Sequence, residues 1–260
     1  MQLKFLGTGG GRFVTGRQDR RTAGILVETD ETSVLIDPGP GALVYANQED
    51  SPEEIEATVV SHAHPDHSND AEAIIEMMTE AYDNPGTLFA NKTVLEGQGE
   101  LEKAVSEYHK DLCRRVEKLK PEKEHEFKDL KIRSQQMFHS DPHTQGLILE
   151  TEAKTTGIWT DTEFSEELIE FYKDCDTIVI YCVRPRNQSI KGHTALDEVP
   201  EILEDLNAST AIITHFGSKF LNSDMEQQKQ WLDQQVDAKI IFAEDGMKFP
   251  GDTKLSSYTS

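Results

Sequence analysis

The fold is decided by Ala57-Thr58-Val59-Val60-Ser61-His62-Ala63-His64-Pro65-Asp66-His67-Ser68-Asn69-Asp70. The apolar run at its start reads as a buried strand. Beyond it, Ala71, Ile74, Ile75, Met78 and Tyr82 fall close to helical spacing. The polar middle therefore sits where a strand gives way to a helix, the usual ligand position in α/β proteins. His62 and His64 are two apart in extended chain, so they leave on one face and reach one metal ion. Pro65 breaks the run and suits a helix entry. Asp66 and His67 then turn toward a second ion. Zinc takes such nitrogen and oxygen ligands. The bland alternative is a surface loop rich in histidine by chance. It is weak, because the chain has 9 His in 260 residues and no tag-like run.

Working outward, chemistry-bearing residues recur just past apolar runs. Gln2–Leu6 reads as a strand ending in Gly7-Thr8-Gly9-Gly10-Gly11, a loop able to approach a ligand or another backbone closely. It lacks the Gly-Lys-Ser/Thr of a Walker phosphate loop. Gly24–Glu28 and Ser33–Asp37 read as a strand pair. Asp37 at its end suits orientation of a ligand imidazole, with a plain turn role as the alternative. Glu126–Phe138 reads as strands turning at Lys128-Asp129 and ending at His139. His143 rivals His139, since both precede the strand Gly146–Glu150. Asp161 follows the strand Gly157–Thr160 and is placed to bridge two metals. His215 follows the strand Ala211–Thr214.

Leu101, Val105, Tyr108, Leu112, Val116 and Leu119 predict one long amphipathic helix, for packing or a homodimer contact. His109 and His125 read as ordinary surface residues. Strands early in each half, with a helix ending each, imply a layered α/β or α+β domain of sheets sandwiched by helices, one domain over 1–260.

Composition bounds the function. Cys113, Cys175 and Cys182 form no Cys-x-x-Cys pair, against a disulfide framework or zinc ribbon. Met1–Arg21 has no apolar leader core and no later run suits a bilayer, so a soluble cytoplasmic protein without a membrane partner is expected. The net charge of −22 disfavours nucleic acid as a partner. Thr22–Asn91 holds no Lys or Arg, whereas Arg12, Arg17, Arg20 and Arg21 form one basic island, and Arg184, Arg186 and Lys191 form another. Beside a metal site such islands suit a small anionic substrate. For any single Arg, surface ion pairing is the plainer reading.

Taken together, the chain resembles the metallo-β-lactamase-fold hydrolases. His62, His64, Asp66 and His67 match the HxHxDH signature, and Asp37, His139, Asp161 and His215 follow the family's other motifs in order. The resemblance covers nearly the whole chain and implies a four-layer αββα sandwich with two metals at one edge. Within that superfamily it is most similar to the branch around ribonuclease Z and related phosphodiesterases. Leu6–Gly11, Gly192-His193-Thr194-Ala195 and Thr214–Phe220 carry that likeness, with Lys219 where Arg is usual. Only 22 positions separate His139 from Asp161, too few for the tRNA-binding arm that ribonuclease Z carries there.

The resemblance implies that His62, His64 and His139 hold one ion and that Asp66, His67 and His215 hold the other, with Asp161 bridging. Two divalent ions are implied, zinc by ligand type, with manganese or iron as alternatives. They would activate water for attack at phosphorus. Asp66 would orient the nucleophile, and His193 would protonate the leaving alkoxide, its plainer alternative being a helix-start residue that caps or packs. Arg184, Arg186 and Lys191 would grip the substrate phosphate. The expected activity is hydrolysis of a small phosphodiester such as a cyclic nucleotide. A lactone, thioester or β-lactam hydrolase, or an RNA endonuclease, is the alternative.

Overall fold

Val59 and its neighbours in Ala57–Val60 are buried on both faces, which a strand achieves only when other strands flank it and layers cover it on each side. The computed structural model describes residues 1–48, 54–121 and 123–251 and places this run at the middle of a seven-stranded sheet. The first half of the chain runs β1 (Gln2–Phe5), α1 (Gly11–Arg17), β2 (Ile25–Glu28), β3 (Ser33–Ile36), α2 (Ala42–Gln48), β4 (Ala57–Val60), α3 (Pro65–Ser68), α4 (Ala71–Thr79), β5 (Thr87–Ala90), α5 (Lys92–Glu96), α6 (Glu107–Leu112) and β6 (Arg115–Lys118). The second half runs β7 (Glu124–Phe127), β8 (Leu130–Gln136), β9 (Gln145–Glu150), β10 (Thr155–Trp159), α7 (Ile169–Tyr172), β11 (Thr177–Arg184), β12 (Thr194–Ala195), α8 (Val199–Glu204), β13 (Thr210–Thr214), α9 (Ser218–Leu221), α10 (Met225–Asp233), β14 (Lys239–Phe242) and β15 (Lys248–Phe249).

The first sheet has the order β15-β1-β2-β3-β4-β5-β6, so the last strand of the chain closes the sheet that the first strand opens. The second sheet has the order β14-β13-β11-β10-β9-β8-β7, with β12 paired to β11. β3 to β6 run parallel to one another, as do β10, β11, β13 and β14. β7 to β10 form an antiparallel meander. β8 alternates buried Leu130, Ile132 and Ser134 with more exposed Lys131, Arg133 and Gln135, the period of a strand with one covered face.

The inner faces meet in a core that includes Phe5, Val34, Val59 and Phe89 from one sheet and Ile132, Leu147, Val179 and Ile212 from the other. α4, α5 and α6 cover part of the outer face of the first sheet, α2 covers the rest with α4, and α7 to α10 cover the second. The result is the αββα order. Each fully buried aliphatic or aromatic side chain contributes roughly 1.5–3 kcal/mol. Exposed ion pairs such as Lys103–Glu107 contribute about 1 kcal/mol or less, so the inter-sheet core holds the molecule together despite its net charge. Among the described residues no helix is long and apolar enough to cross a membrane.

Several elements differ from expectation. The long helix over 101–119 is absent. Its middle is the short α6, and Arg115–Lys118 leave as β6, paired in parallel with β5. Backbone pairing to an existing sheet edge overrides a helical spacing that a mostly charged segment carries only weakly, and the homodimer contact loses that basis. Tyr82 lies beyond α4 and is exposed. His125 is buried, not a surface residue: it sits on β7 with its ring 5.4 Å from that of Phe89 on β5, where the two sheets meet at their edges. His109 clamps α6 to α4, with Nδ1 3.0 Å from Glu72 and Nε2 3.3 Å from Glu76.

Candidate metal centre

The parallel strands aim their carboxyl ends at one edge, and the candidate residues stand there. Asp37 follows β3, Ser61 and His62 follow β4, Asp161 follows β10 and His215 follows β13. β8 runs in the same direction as β10, each being antiparallel to β9, so His139 arrives at the same edge.

His62, His64 and His139 converge. His62 Nε2 and His139 Nε2 each lie 3.1 Å from His64 Nδ1. The other nitrogens of His62 and His139 fix their tautomers. The Ser61 hydroxyl donates to Asp37 Oδ2 (2.8 Å), so it accepts from His62 Nδ1 (3.0 Å). His139 Nδ1 donates to the Gly192 carbonyl (2.6 Å). His64 Nε2 lies 3.2 Å from Ser140 Oγ, a hydroxyl able to accept its N–H. The lone pairs of His62 Nε2 and His139 Nε2 therefore face inward, and His64 Nδ1 completes a three-nitrogen group that a bound cation stabilises. A tetrahedral ion with zinc–nitrogen distances of about 2.0–2.1 Å needs its ligand atoms about 3.3 Å apart, close to what is found.

Asp66, His67, Asp161 and His215 form the second group. His67 Nε2 and His215 Nε2 lie 3.3 and 3.4 Å from Asp161 Oδ2. They lie 3.7 and 3.5 Å from Asp66 Oδ2. His67 Nε2, His215 Nε2 and Asp161 Oδ1 are buried without a hydrogen-bond partner among the described residues. Buried polar atoms are normally paired, so these residues also fit a metal. Asp161 Oδ2 is 3.9 Å from His62 Nε2 and 4.0 Å from His139 Nε2, which sets this carboxylate between the two groups.

Electrostatics differ across the centre. Burial, then the neighbouring rings, pushes His62 well below its usual value, and burial pushes His139 down to about 4. Burial also opposes charge on His67 and His215, but the carboxylates prevail. Asp66 and Asp37 lift His67, and Asp161 with Asp66 lifts His215 to about 9. The same contacts overcome burial at Asp66 and Asp161 and hold both carboxyls well below the ordinary range.

Supporting residues explain the local sequence. Asp37 adopts φ 53°, accepts from Ser61 N (2.7 Å) and His67 Nδ1 (2.9 Å), and receives the Tyr181 hydroxyl at 3.3 Å. Gly10 has no room for a side chain, since a Cβ there would lie 2.3 Å from the His215 ring. The glycine loop hydrogen-bonds along Phe216, and Gly11 N donates to Asp66 Oδ2 (2.7 Å). Tyr181 stacks on His215 at 4.8 Å.

Sequence reasoning misses Asp141. It is fully buried and accepts from Thr93 Oγ1 (2.6 Å), His143 N (2.9 Å), Asn91 Nδ2 (3.1 Å) and Ala63 N (3.1 Å). It thereby ties the His62–His64 loop to the His139 loop. The only sequence signal for it is an Asp-Pro two residues after His139. His143 lies outside the clusters of potential ligands and meets Asp141 through its backbone.

His193 stands at the rim, 22% exposed, with Nε2 3.8 Å from Asp161 Oδ2 and Nδ1 3.2 Å from the Lys191 carbonyl. Its segment is anchored by Gly192 N donating to Glu163 Oε1 (2.9 Å) and by Trp159 Nε1 donating to Thr194 Oγ1 (3.0 Å). The second basic island divides at this rim, with Lys191 beside His193 and Arg186 turned away. Arg186 turns onto α10, where Nε donates to Gln228 Oε1 (3.0 Å) and the guanidinium lies over Trp231. Arg184 Nε is buried without a hydrogen-bond partner among the described residues, and Lys191 lines a cavity with His193. Arg20 and Arg21 lie over Phe216 and Tyr45.

Comparison with known proteins agrees with this fold. An uncharacterized protein of Methanocaldococcus jannaschii is 34% identical over 252 residues, 95% of this chain and 94% of that protein. A metallo-beta-lactamase fold protein, YhfI from Bacillus subtilis, superposes with a TM-score of 0.78 at 15% identity, covering 95% of this chain and 97% of that one. A diphosphatase from the PhnP family gives 0.70 at 21% identity, covering 95% of each chain. The family model for the beta-lactamase superfamily domain matches residues 32–216, a span that runs from the strand before Asp37 to the residue after His215. The chain belongs to the beta-lactamase superfamily and shares its metal-dependent hydrolase fold.

Proposed function

We propose that this protein is a phosphodiesterase acting on a small phosphodiester with two divalent ions, zinc by ligand type, held by His62, His64 and His139 and by Asp66, His67 and His215, with Asp161 between them. The observation that carries the reading is the position of His193 on the open side of the cluster, 3.8 Å from Asp161 and reachable from solvent. Bound ions supply Lewis-acid polarisation of a phosphoryl oxygen and activation of water. Water adds to phosphorus as the bond to the leaving oxygen breaks, giving a phosphomonoester and an alcohol. His193 donates its proton to the departing alkoxide, a task to which an imidazole is suited near neutral pH. Asp66, held as a carboxylate and fixed by Gly11 N, orients the attacking water.

One observation favours a lactone or thioester hydrolase as the second reading: Arg186 is committed to α10 and so is not free to grip a phosphate. Hydrolysis of bis(p-nitrophenyl) phosphate beside a lactone, by protein loaded with zinc or manganese, separates the two. Turnover of a phosphodiester with an alkyl leaving group, such as a cyclic nucleotide, that drops about 100-fold or more in His193→Ala is expected for an acid catalyst, with bis(p-nitrophenyl) phosphate, whose aryloxide leaves unprotonated, affected less. Lactone turnover indifferent to His193, with no phosphodiester turnover, would overturn the reading.

A further inference from the structure

Beside the metal cluster lies a cavity of about 460 Å³, lined by Glu163, Phe164, Ser189, Ile190, Lys191, His193 and Glu198. That volume is in the range of small-molecule sites. His193 belongs both to this wall and to the cluster with His139 and Asp161, so whatever fills the cavity touches the proton donor. The chemistry of the wall is uneven. Phe164 and Ile190 offer an apolar side, and Ile190 is 41% exposed with no core to fill. Glu163 and Glu198 each spend one carboxylate oxygen on a backbone amide, Gly192 N and Ala195 N respectively, which leaves each with a second oxygen to accept from a ligand. Lys191 is the flexible cation of the wall. Two carboxylates beside one lysine make a poor phosphate site, because a second anion there would face like charges.

The geometry points to this cavity as the site of the leaving alcohol: an uncharged alcohol with several hydrogen-bond donors and a flat apolar face, of which a nucleoside is the type. This rests on the phosphodiesterase reading for its reaction, but not for its binding. The phosphate sits at the metal cluster, the alcohol's ring lies against Phe164 and Ile190, and its hydroxyl or amino groups donate to Glu163 and Glu198. Its reacting oxygen then faces His193.

The test is titration of metal-loaded protein with adenosine and, separately, with inorganic phosphate, in the wild type and in Phe164→Ala and Ile190→Glu. Phe164 also packs against the core of the second sheet, so the exposed Ile190 variant guards against a folding defect. Adenosine is expected to bind, and each variant to weaken it about tenfold, the scale of one aromatic or apolar contact, with phosphate affinity held. No adenosine binding to the wild type, binding indifferent to both variants, or phosphate affinity falling in step would overturn the assignment. Bis(p-nitrophenyl) phosphate turnover in the same samples separates the two claims. Adenosine binding without turnover defeats the phosphodiesterase reading and leaves the pocket. Turnover without adenosine binding does the reverse.

Discussion

The two halves of the metal centre are built from similar residues and prepared in opposite ways. His62, His64 and His139 face one another as three neutral rings, each with its outer nitrogen committed to a neighbour. His67 and His215 face two carboxylates, which favour their protonated forms. Burial alone does not decide this, because His62 and His67 are equally buried. The difference lies in how closely carboxylates crowd each ring: Asp37, Asp161 and Asp66 lie 2.9, 3.3 and 3.7 Å from His67, whereas His62 meets Asp161 at 3.9 Å. One half is poised to accept a cation directly. The other must exchange protons for it, since a histidine ligates only when neutral.

Asp161 lies within 4.0 Å of ligand nitrogens in both halves. Asp161→Ala is expected to lower bound metal by more than half, read by elemental analysis, and to cut phosphodiester turnover by at least about 100-fold. Full occupancy of both halves in that variant would mean the carboxylate bridges nothing.

In the metal-free protein the two halves respond oppositely to acid. His139 and His62 are depressed in the folded state, so the unfolded chain takes up protons first and stability falls as pH drops from about 6.5 toward 4. His215 is raised to about 9, so its contribution is whole below 6.5 and is lost as pH rises through 9. The latter is on the order of 3 kcal/mol, since each tenfold gain in proton affinity on folding corresponds to about 1.36 kcal/mol. Chemical denaturation of chelator-treated protein at pH 5, 7 and 9 is expected to peak near neutrality. A monotonic trend would contradict the opposed preparation of the two halves.

A smaller effect isolates one half. Asp141 touches the His64 and His139 loops and not His67 or His215. Asp141→Ala is therefore expected to weaken metal at the three-histidine half about tenfold, read by competition with a chromophoric chelator, while the carboxylate half holds. Asp141→Asn, which keeps an acceptor, should recover part of it. Equal weakening of both halves would show that Asp141 only stabilises the fold.

Much of this centre is legible in the sequence because its residues follow buried strands, whose apolar runs mark where the chain reaches an edge. Asp37, Asp161 and His215 stand out by that position, and the strands of the second half follow from the same runs. What stays hidden depends on partners distant in sequence. Arg115–Lys118 looks nothing like a buried strand and pairs because β5 is there to receive it. A lone Asp141 is indistinguishable from a turn residue until Asn91, Thr93 and Ala63 arrive around it. The burial of His125 needs Phe89 from the other sheet. The basic island of Arg184 and Arg186 is visible as a cluster, but only the structure shows that Trp231 and Gln228 claim one of its members.

The separation of ligands from cavity lining has an evolutionary consequence. The candidate ligands on β4, β10 and β13 hang from strand ends, where a shifted residue would disturb the core. Glu163, Phe164 and Ser189–His193 lie in connections beyond the strands, where insertions and substitutions cost little. Descendants of this chain are therefore free to change what that cavity accepts by drift in those connections, while the ligand set at the strand ends is inherited intact.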